Sequence, residues 1–195
     1  MPQPQFIVIA GPNGAGKSTI APLFIQPGMV FLNADEVAKS LPNYPSKSSD
    51  FEAGRIVLEQ MDSLSANRES FSIETTLASR TLAPRIIELK NDGYEFKLIF
   101  VWSIREQFSV DRVSQRVKAG GHSIPEETIR RRFHAGVRNF HTLYRPLADH
   151  WIVLDNTSSV GPRSIATGER GGVEFVEDPE LWSRFNQRDR TDAGD

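Results

Sequence analysis

The chain has no cysteine among its 195 residues. Disulfides, thiolate metal sites and a cysteine nucleophile are therefore excluded, and a reducing compartment is allowed. No stretch approaches the ~18 consecutive apolar residues of a membrane-spanning helix. The opening Met-Pro-Gln-Pro-Gln offers neither a positive n-region nor an apolar stretch of its own, so a cytoplasmic protein with no membrane partner is expected. The guanine-reading pattern Asn-Lys-x-Asp is missing as well, which disfavours a GTPase switch. Repeats, linkers and low-complexity runs are absent too, which points to one domain over residues 1–187 and a frayed charged tail over 188–195.

What is present suits a folded domain that needs no staples: 38% of the residues are hydrophobic and 25% charged. Short apolar runs at Phe6 to Ala10, Val30 to Asn33, Phe71 to Glu74, Glu95 to Trp102 and Trp151 to Leu154 read as buried parallel strands. Helical spacing lies between them. Ala53, Ile56, Val57, Met61 and Leu64 share one face, and Leu82, Ile86 and Leu89 share another before Gly93. Pro125 opens a third helix, striped by Ile129, Phe133, Val137, Phe140 and Tyr144. Alternation of this kind predicts a three-layer α/β fold with a mainly parallel five-stranded sheet and its ligand at the carboxyl ends of the strands. Ser158 to Gly172 reads as a loose loop.

The first strand runs directly into Gly11-Pro-Asn-Gly-Ala-Gly-Lys-Ser-Thr19, a complete phosphate-binding loop. Its glycines let backbone N–H groups turn toward phosphates, Lys17 reaches the β- and γ-phosphates, and the Ser18 hydroxyl holds Mg²⁺ that arrives with ATP. The ATP-binding set is thus Gly11, Asn13, Gly14, Ala15, Gly16, Lys17, Ser18 and Thr19, with Lys17 expected at a solvent-facing position. Pro22 removes an N–H inside the helix that should follow, and a kink is expected there.

Three further clusters fall where strands end. Asp35, after the second strand, is a candidate general base for a substrate hydroxyl, and equally a candidate N-cap of a helix starting at Glu36; the two roles are compatible. Glu74 closes the third strand and is followed by Thr76 and Arg80. A carboxylate there must be hydrogen-bonded, paired or close to the metal. The third cluster is basic. Residues 105–145 carry nine Arg or Lys against four acids, which reads either as a solvated face or as a lid over anionic ligands. Arg112 and Arg116 lie four apart on one helix face, then come Gly120-Gly121-His122 and Arg130 to Arg132. A glycine pair between basic helices reads as the hinge of a lid that stabilises charge on a transferring phosphoryl group. The mild net charge of −2 and pI near 6.1 argue against a nucleic-acid surface.

From Phe6 to about Thr157 the succession of phosphate loop, Phe31 to Glu36, Glu74-Thr75-Thr76 with Arg80, and Arg112 through Gly-Gly-His-Ser-Ile-Pro to Phe133 resembles the zeta-toxin family of bacterial toxin–antitoxin systems. The resemblance implies an ATP-dependent kinase acting on a nucleotide-sugar, UDP-N-acetylglucosamine in the best-known members, with a possible antitoxin partner. By position it implies that Lys17 and Ser18 hold the triphosphate and Mg²⁺, that Asp35 takes the proton of the sugar hydroxyl, that Glu74, Thr76 and Arg80 seat the substrate, and that Arg116 meets the phosphates. Plasmid-borne relatives carry a second lid arginine where this chain has His122. At about 100° per residue, Arg130 and Arg132 flank the apolar stripe of their helix and Arg131 points away. Arg132, or else Arg130, is therefore expected to replace the missing arginine; the competing candidate is His122 itself.

Overall fold

The structure, a computed structural model, describes residues 3–118, 123–158, 160–170, 172 and 174–187. All five expected parallel strands are present: β1 (Gln5–Ala10), β2 (Val30–Asn33), β3 (Phe71–Thr75), β4 (Glu95–Trp102) and β5 (His150–Asp155). Two antiparallel strands, β6 (Arg163–Glu169) and β7 (Glu174–Val176), extend the sheet to the order β2-β3-β1-β4-β5-β6-β7. The segment read as a loose loop therefore contains β6. Only its Ile165 and Ala166 are buried, too few to register as an apolar run, and its place beside β5 comes from a tight return in which buried Asp155 accepts from Thr157 and Arg163.

Alternation along β1 divides the core. Phe6, Val8 and Ala10 face one layer while Ile7 and Ile9 face the other. The first layer is the larger. It takes α3 (Lys47–Ala66), α4 (Leu82–Asn91), α6 (Glu126–Asn139) and α7 (Pro179–Gln187) through Met61, Ile86, Phe133 and Phe185. Helix α7 lay unrecognised in the sequence, yet its Phe185 is fully buried against Phe100, Trp102 and Phe140, a burial worth about 1.5–3 kcal/mol by itself. The second layer is thinner and is covered by the helix that leaves the phosphate loop. That helix, α1 (Lys17–Ile20), lasts one turn before a 3₁₀ turn at Ala21–Leu23. Pro22 sits at the start of the 3₁₀ turn and ends the α-helix rather than kinking it, because a proline ring clashes with the carbonyl four residues back.

Two further helices complete the frame: the short α2 (Ala34–Lys39) after β2, and α5 (Glu106–Lys118) after β4. Since β2, β3 and β1 are adjacent and parallel, Asn33 and Glu74 share a register position, and Glu74 also stands beside Ile9. The carboxyl ends of three strands thus meet around the phosphate loop. The Gly120-Gly121-His122 hinge and the 188–195 tail lie outside the described residues.

Candidate active site

The loop is built to receive an anion. Gly14 and Gly16 have φ of 76° and 88°, a left-handed conformation open to glycine at no steric cost. A side chain at Gly16 would also stand 2.4 Å from Nδ2 of Asn156. With the chain turned this way, the N–H groups of Gly14, Gly16, Lys17 and Ser18 have no acceptor within the protein among the described residues. Buried N–H groups without partners are costly, and triphosphate oxygens are the acceptors that such a concave run of donors fits. Asn13, only 6% exposed, adds a buried Oδ1 without a partner.

Lys17 departs from expectation. It is 6% exposed rather than solvent-facing, and its Nζ donates to the Pro12 carbonyl at 3.0 Å while lying 3.6 Å from Oε1 of Glu74. Burial pushes the ammonium pKa below its ordinary value; the carboxylates of Glu74 and Asp35 pull it back, and the Arg116 guanidinium lowers it again. These influences place Asp35 and Arg116 within electrostatic reach of Lys17.

Glu74 is the hub. Its Oε2 accepts from Ser18 Oγ at 2.7 Å and from Asn33 Nδ2 at 3.1 Å. The requirement that this carboxylate be paired and hydrogen-bonded is met by the phosphate loop itself. Ser18 and Glu74 together form an oxygen pair suited to a hard divalent cation, Ser18 directly and Glu74 beside it. Among the described residues no three His, Asp or Glu side chains converge as a metal site of their own.

Asp35 does not cap its helix. The cap is Asn33, whose Oδ1 accepts from the Asp35 N–H at 2.9 Å. Helix α2 accordingly begins at Ala34, two residues earlier than expected, and the Asp35 side chain is left exposed in the first turn with no hydrogen bond or ion pair of its own among the described residues.

The basic helices divide by role. Arg112 lies over the Phe108 ring at 4.3 Å and donates to the Gly14 carbonyl at 3.4 Å, so it belongs to the phosphate loop. Arg116, one turn on, is exposed. Arg130, expected as a possible phosphate ligand, is committed elsewhere: it pairs with Glu106 and Glu126 and donates to Gln107. Glu106 also bonds His134 at 2.7 Å. Burial would raise the Glu106 carboxyl, but the bonds from His134 and Arg130 outweigh it and hold it below its usual range. Arg131 is exposed, as the helical geometry predicts, and Arg132 is half-buried with no partner among the described residues. Four residues beyond Arg132, Gly136 touches the turn after β3: a side chain there would stand 2.6 Å from the Thr76 carbonyl. Arg132 therefore sits one turn along the face that meets the Thr76 to Arg80 segment. Thr76 is half-buried and Arg80 exposed at the end of that segment.

Asn156 and the pocket beside it escaped sequence reasoning. Asn156 donates to the Ala15 carbonyl at 2.9 Å from just beyond β5; the only signal was an amide following an apolar run. Next to it Ile104, Arg105, Phe108, Thr157 and Arg184 line an apolar cavity of about 250 Å³, suited to a flat ring joined to a triphosphate in the loop. Arg184 comes from α7 and could not have been assigned without the fold.

A phosphate loop on a central strand, an acid ending the neighbouring strand and arginine-bearing helices above them define a P-loop kinase-like fold. The zeta toxin family model matches residues 1–161, and the chain belongs to the zeta toxin family. It is similar to an uncharacterized protein of Haemophilus influenzae, 26% identical over 131 residues, which are 67% of this chain and 94% of that protein. Among solved structures it resembles AvrRxo1-ORF1 in complex with ORF2 and ATP, with a TM-score of 0.75 at 20% identity over 99% of this chain and 66% of the other. It also resembles the PezAT chromosomal toxin–antitoxin system of Streptococcus pneumoniae, with a TM-score of 0.67 at 18% identity over 96% of this chain and 86% of the other.

Proposed function

We propose that this chain is a Mg²⁺- and ATP-dependent kinase that moves the γ-phosphoryl of ATP to a hydroxyl of a nucleotide-sugar, with UDP-N-acetylglucosamine the first acceptor to test. The observation that carries the reading is the convergence of Lys17, Ser18, Asp35 and Glu74 at the ends of β1, β2 and β3. In this mechanism the N–H groups of the loop and Lys17 hold the β- and γ-phosphates. The cation on Ser18, with Glu74 beside it, neutralises charge on the phosphate oxygens when bound. Asp35 accepts the proton of the acceptor hydroxyl as its oxygen bonds to the γ-phosphorus, the bond from that phosphorus to the β–γ bridging oxygen breaks, and ADP leaves. Arg116 and Arg132 meet the charge that spreads over the transferring group, while Thr76 and Arg80 seat the acceptor. Family membership supports the sugar nucleotide and an antitoxin partner. The ATP requirement fits a cytoplasmic enzyme.

The test is incubation with ATP, Mg²⁺ and UDP-N-acetylglucosamine, expected to give a product heavier by one phosphoryl group, with Arg80→Ala raising KM for the sugar nucleotide more than for ATP. A metabolite panel in which another compound reacts far faster would move the acceptor, and ATP turnover indifferent to any added hydroxyl compound would remove the kinase. The arginines separate by the same assay. Arg116→Ala and Arg132→Ala should each lower kcat by about 10²-fold or more. Arg131→Ala should be near neutral, and Arg130→Ala should act on the α5–α6 contact with kcat within about threefold, because its guanidinium is already held by carboxylates. A large kcat loss in Arg130→Ala alone would reverse the assignment.

A further inference from the structure

The turn that carries Thr76 and Arg80 is held in an unusual way. Leu77 has φ of 55°, a left-handed conformation that branched and bulky side chains seldom adopt, and its side chain is 1% exposed in the main core. Strain of this kind persists only where the surroundings over-determine it; the turn's N–H groups at Leu77 and Ala78 are taken locally by the Thr75 and Thr76 hydroxyls, and its carbonyls are met from α6. Asn139, 5% exposed at the end of α6, donates through Nδ2 to the Leu77 carbonyl at 2.7 Å and to the Ala78 carbonyl at 3.3 Å. Tyr144 Oη donates to the Ser79 carbonyl at 2.6 Å. Gly136 lets α6 approach the Thr76 carbonyl more closely than any side chain would allow. Between Asn139 and Tyr144 the helix widens into a π-turn, Phe140–Tyr144. Such widenings recur at functional sites and re-aim the residues after them; this one brings Tyr144 to Ser79 without disturbing the Asn139 contacts. Burial pushes the Tyr144 hydroxyl up to about 12, so it stays a donor throughout the working pH range.

Four consecutive carbonyls, from Thr76 to Ser79, are thus met by α6 and its π-turn, while Gly11 N–H holds Thr75 at 3.2 Å. The strained φ of Leu77 is matched by a bond to its own carbonyl and by bonds to the two carbonyls after it. We infer that Asn139 and Tyr144 are positioning residues for the acceptor: they clamp the Thr76 to Arg80 turn in its strained shape from the same helix that carries Arg132, so that the acceptor seat and the phosphate-side arginine form one piece. The inference rests on the kinase reading above, with the turn as acceptor seat. Neither residue touches the phosphate loop, so their influence should be felt by the acceptor and not by ATP.

The experiment compares Tyr144→Phe, which removes one hydroxyl and keeps the ring, with Asn139→Leu, which removes both amide donors at similar volume. Three quantities are read: fluorescent-ATP-analogue affinity, KM and kcat for UDP-N-acetylglucosamine, and amide hydrogen exchange by mass spectrometry over residues 76–81 and 11–20. Exchange in 76–81 should quicken about tenfold or more with 11–20 unchanged, KM for the acceptor should rise about tenfold, and nucleotide affinity should stay within twofold. Unchanged exchange in the turn would overturn the clamp. A loosened turn with unchanged acceptor KM would overturn its role in positioning, as would equal losses for acceptor and nucleotide. If the wild type does not phosphorylate UDP-N-acetylglucosamine, transfer from γ-labelled ATP into a metabolite extract replaces it as the acceptor readout. A wild type that labels nothing sinks the kinase reading, and the positioning role with it, whatever the exchange data say.

Discussion

Lys17→Met should abolish phosphoryl transfer, with kcat falling by about 10²- to 10³-fold or more, while the nucleotide-free protein unfolds within a few degrees of the wild type or above it. The first half follows from the loop, whose lysine is the side chain such a loop uses to meet the β- and γ-phosphates. The second half follows from burial. Lys17 is folded into the protein at 6% exposure, and its ammonium pKa lies below the ordinary value because desolvation outweighs the help from Glu74 and Asp35. A base with a depressed folded pKa costs stability wherever the unfolded chain would hold its proton. The cost is present below the folded pKa and disappears as pH rises toward the unfolded value near 10.4. The wild type should therefore gain stability relative to Lys17→Met through that alkaline window. Methionine fills a similar volume without the charge, and Glu74 keeps its bonds to Ser18 and Asn33. The discriminating measurement is thermal unfolding with and without Mg-ATP: the wild type should gain several degrees from nucleotide and the variant little. A variant that is strongly destabilised without nucleotide would mean that the Lys17–Glu74 contact is structural rather than a charge held ready for phosphate.

The residues that the sequence displayed best were those whose function is local. The phosphate loop is a continuous run, and its chemistry was readable before any fold was known. The five parallel strands were readable for the same reason, since strands buried on both faces become apolar runs such as Phe6 to Ala10. Illegible features were those that depend on a distant partner. Strand β6 carries just two buried apolar residues and exists because β5 offers it an edge. Asn156 reaches the Ala15 carbonyl, and Arg184 the cavity beside it, only because β5 and α7 pack where they do. Arg130 and Arg132 look alike on a helical wheel, and what distinguishes them is Glu106, on another helix. The charge excess over residues 105–145 was likewise two things at once: Arg112 serves the loop, whereas Arg145 pairs with Glu174 beside Trp151 and Trp182. Asp35 shows the subtlest case. Sequence reasoning offered two compatible roles for it, and one bond, from its own N–H to Asn33, assigns the cap to its neighbour.

That bond makes Asp35 testable without the usual ambiguity. Asp35→Asn keeps size and shape and leaves the helix cap untouched, because the cap is Asn33 Oδ1 accepting from the backbone at position 35. The unfolding midpoint should hardly move and ATP should bind as before, yet kcat should fall by about 10²-fold or more through loss of the proton acceptor. Asn33→Ala should do the reverse in kind. It removes the cap at a cost of about 1 kcal/mol, equivalent to roughly 2–4 °C in a domain of this size, and frees one side of Glu74, which also loses its 3.1 Å bond from Nδ2. Its effect on kcat should be smaller than that of Asp35→Asn, because Glu74 remains tied to Ser18 and the base is intact. Paired measurements of unfolding, ATP affinity and single-turnover rate in the two variants read the roles apart. If Asp35→Asn turns over normally, the proton must leave by another route and the general-base assignment is lost. If it unfolds like Asn33→Ala, the carboxylate carries a structural load that its exposed position and lack of bonds give no reason to expect.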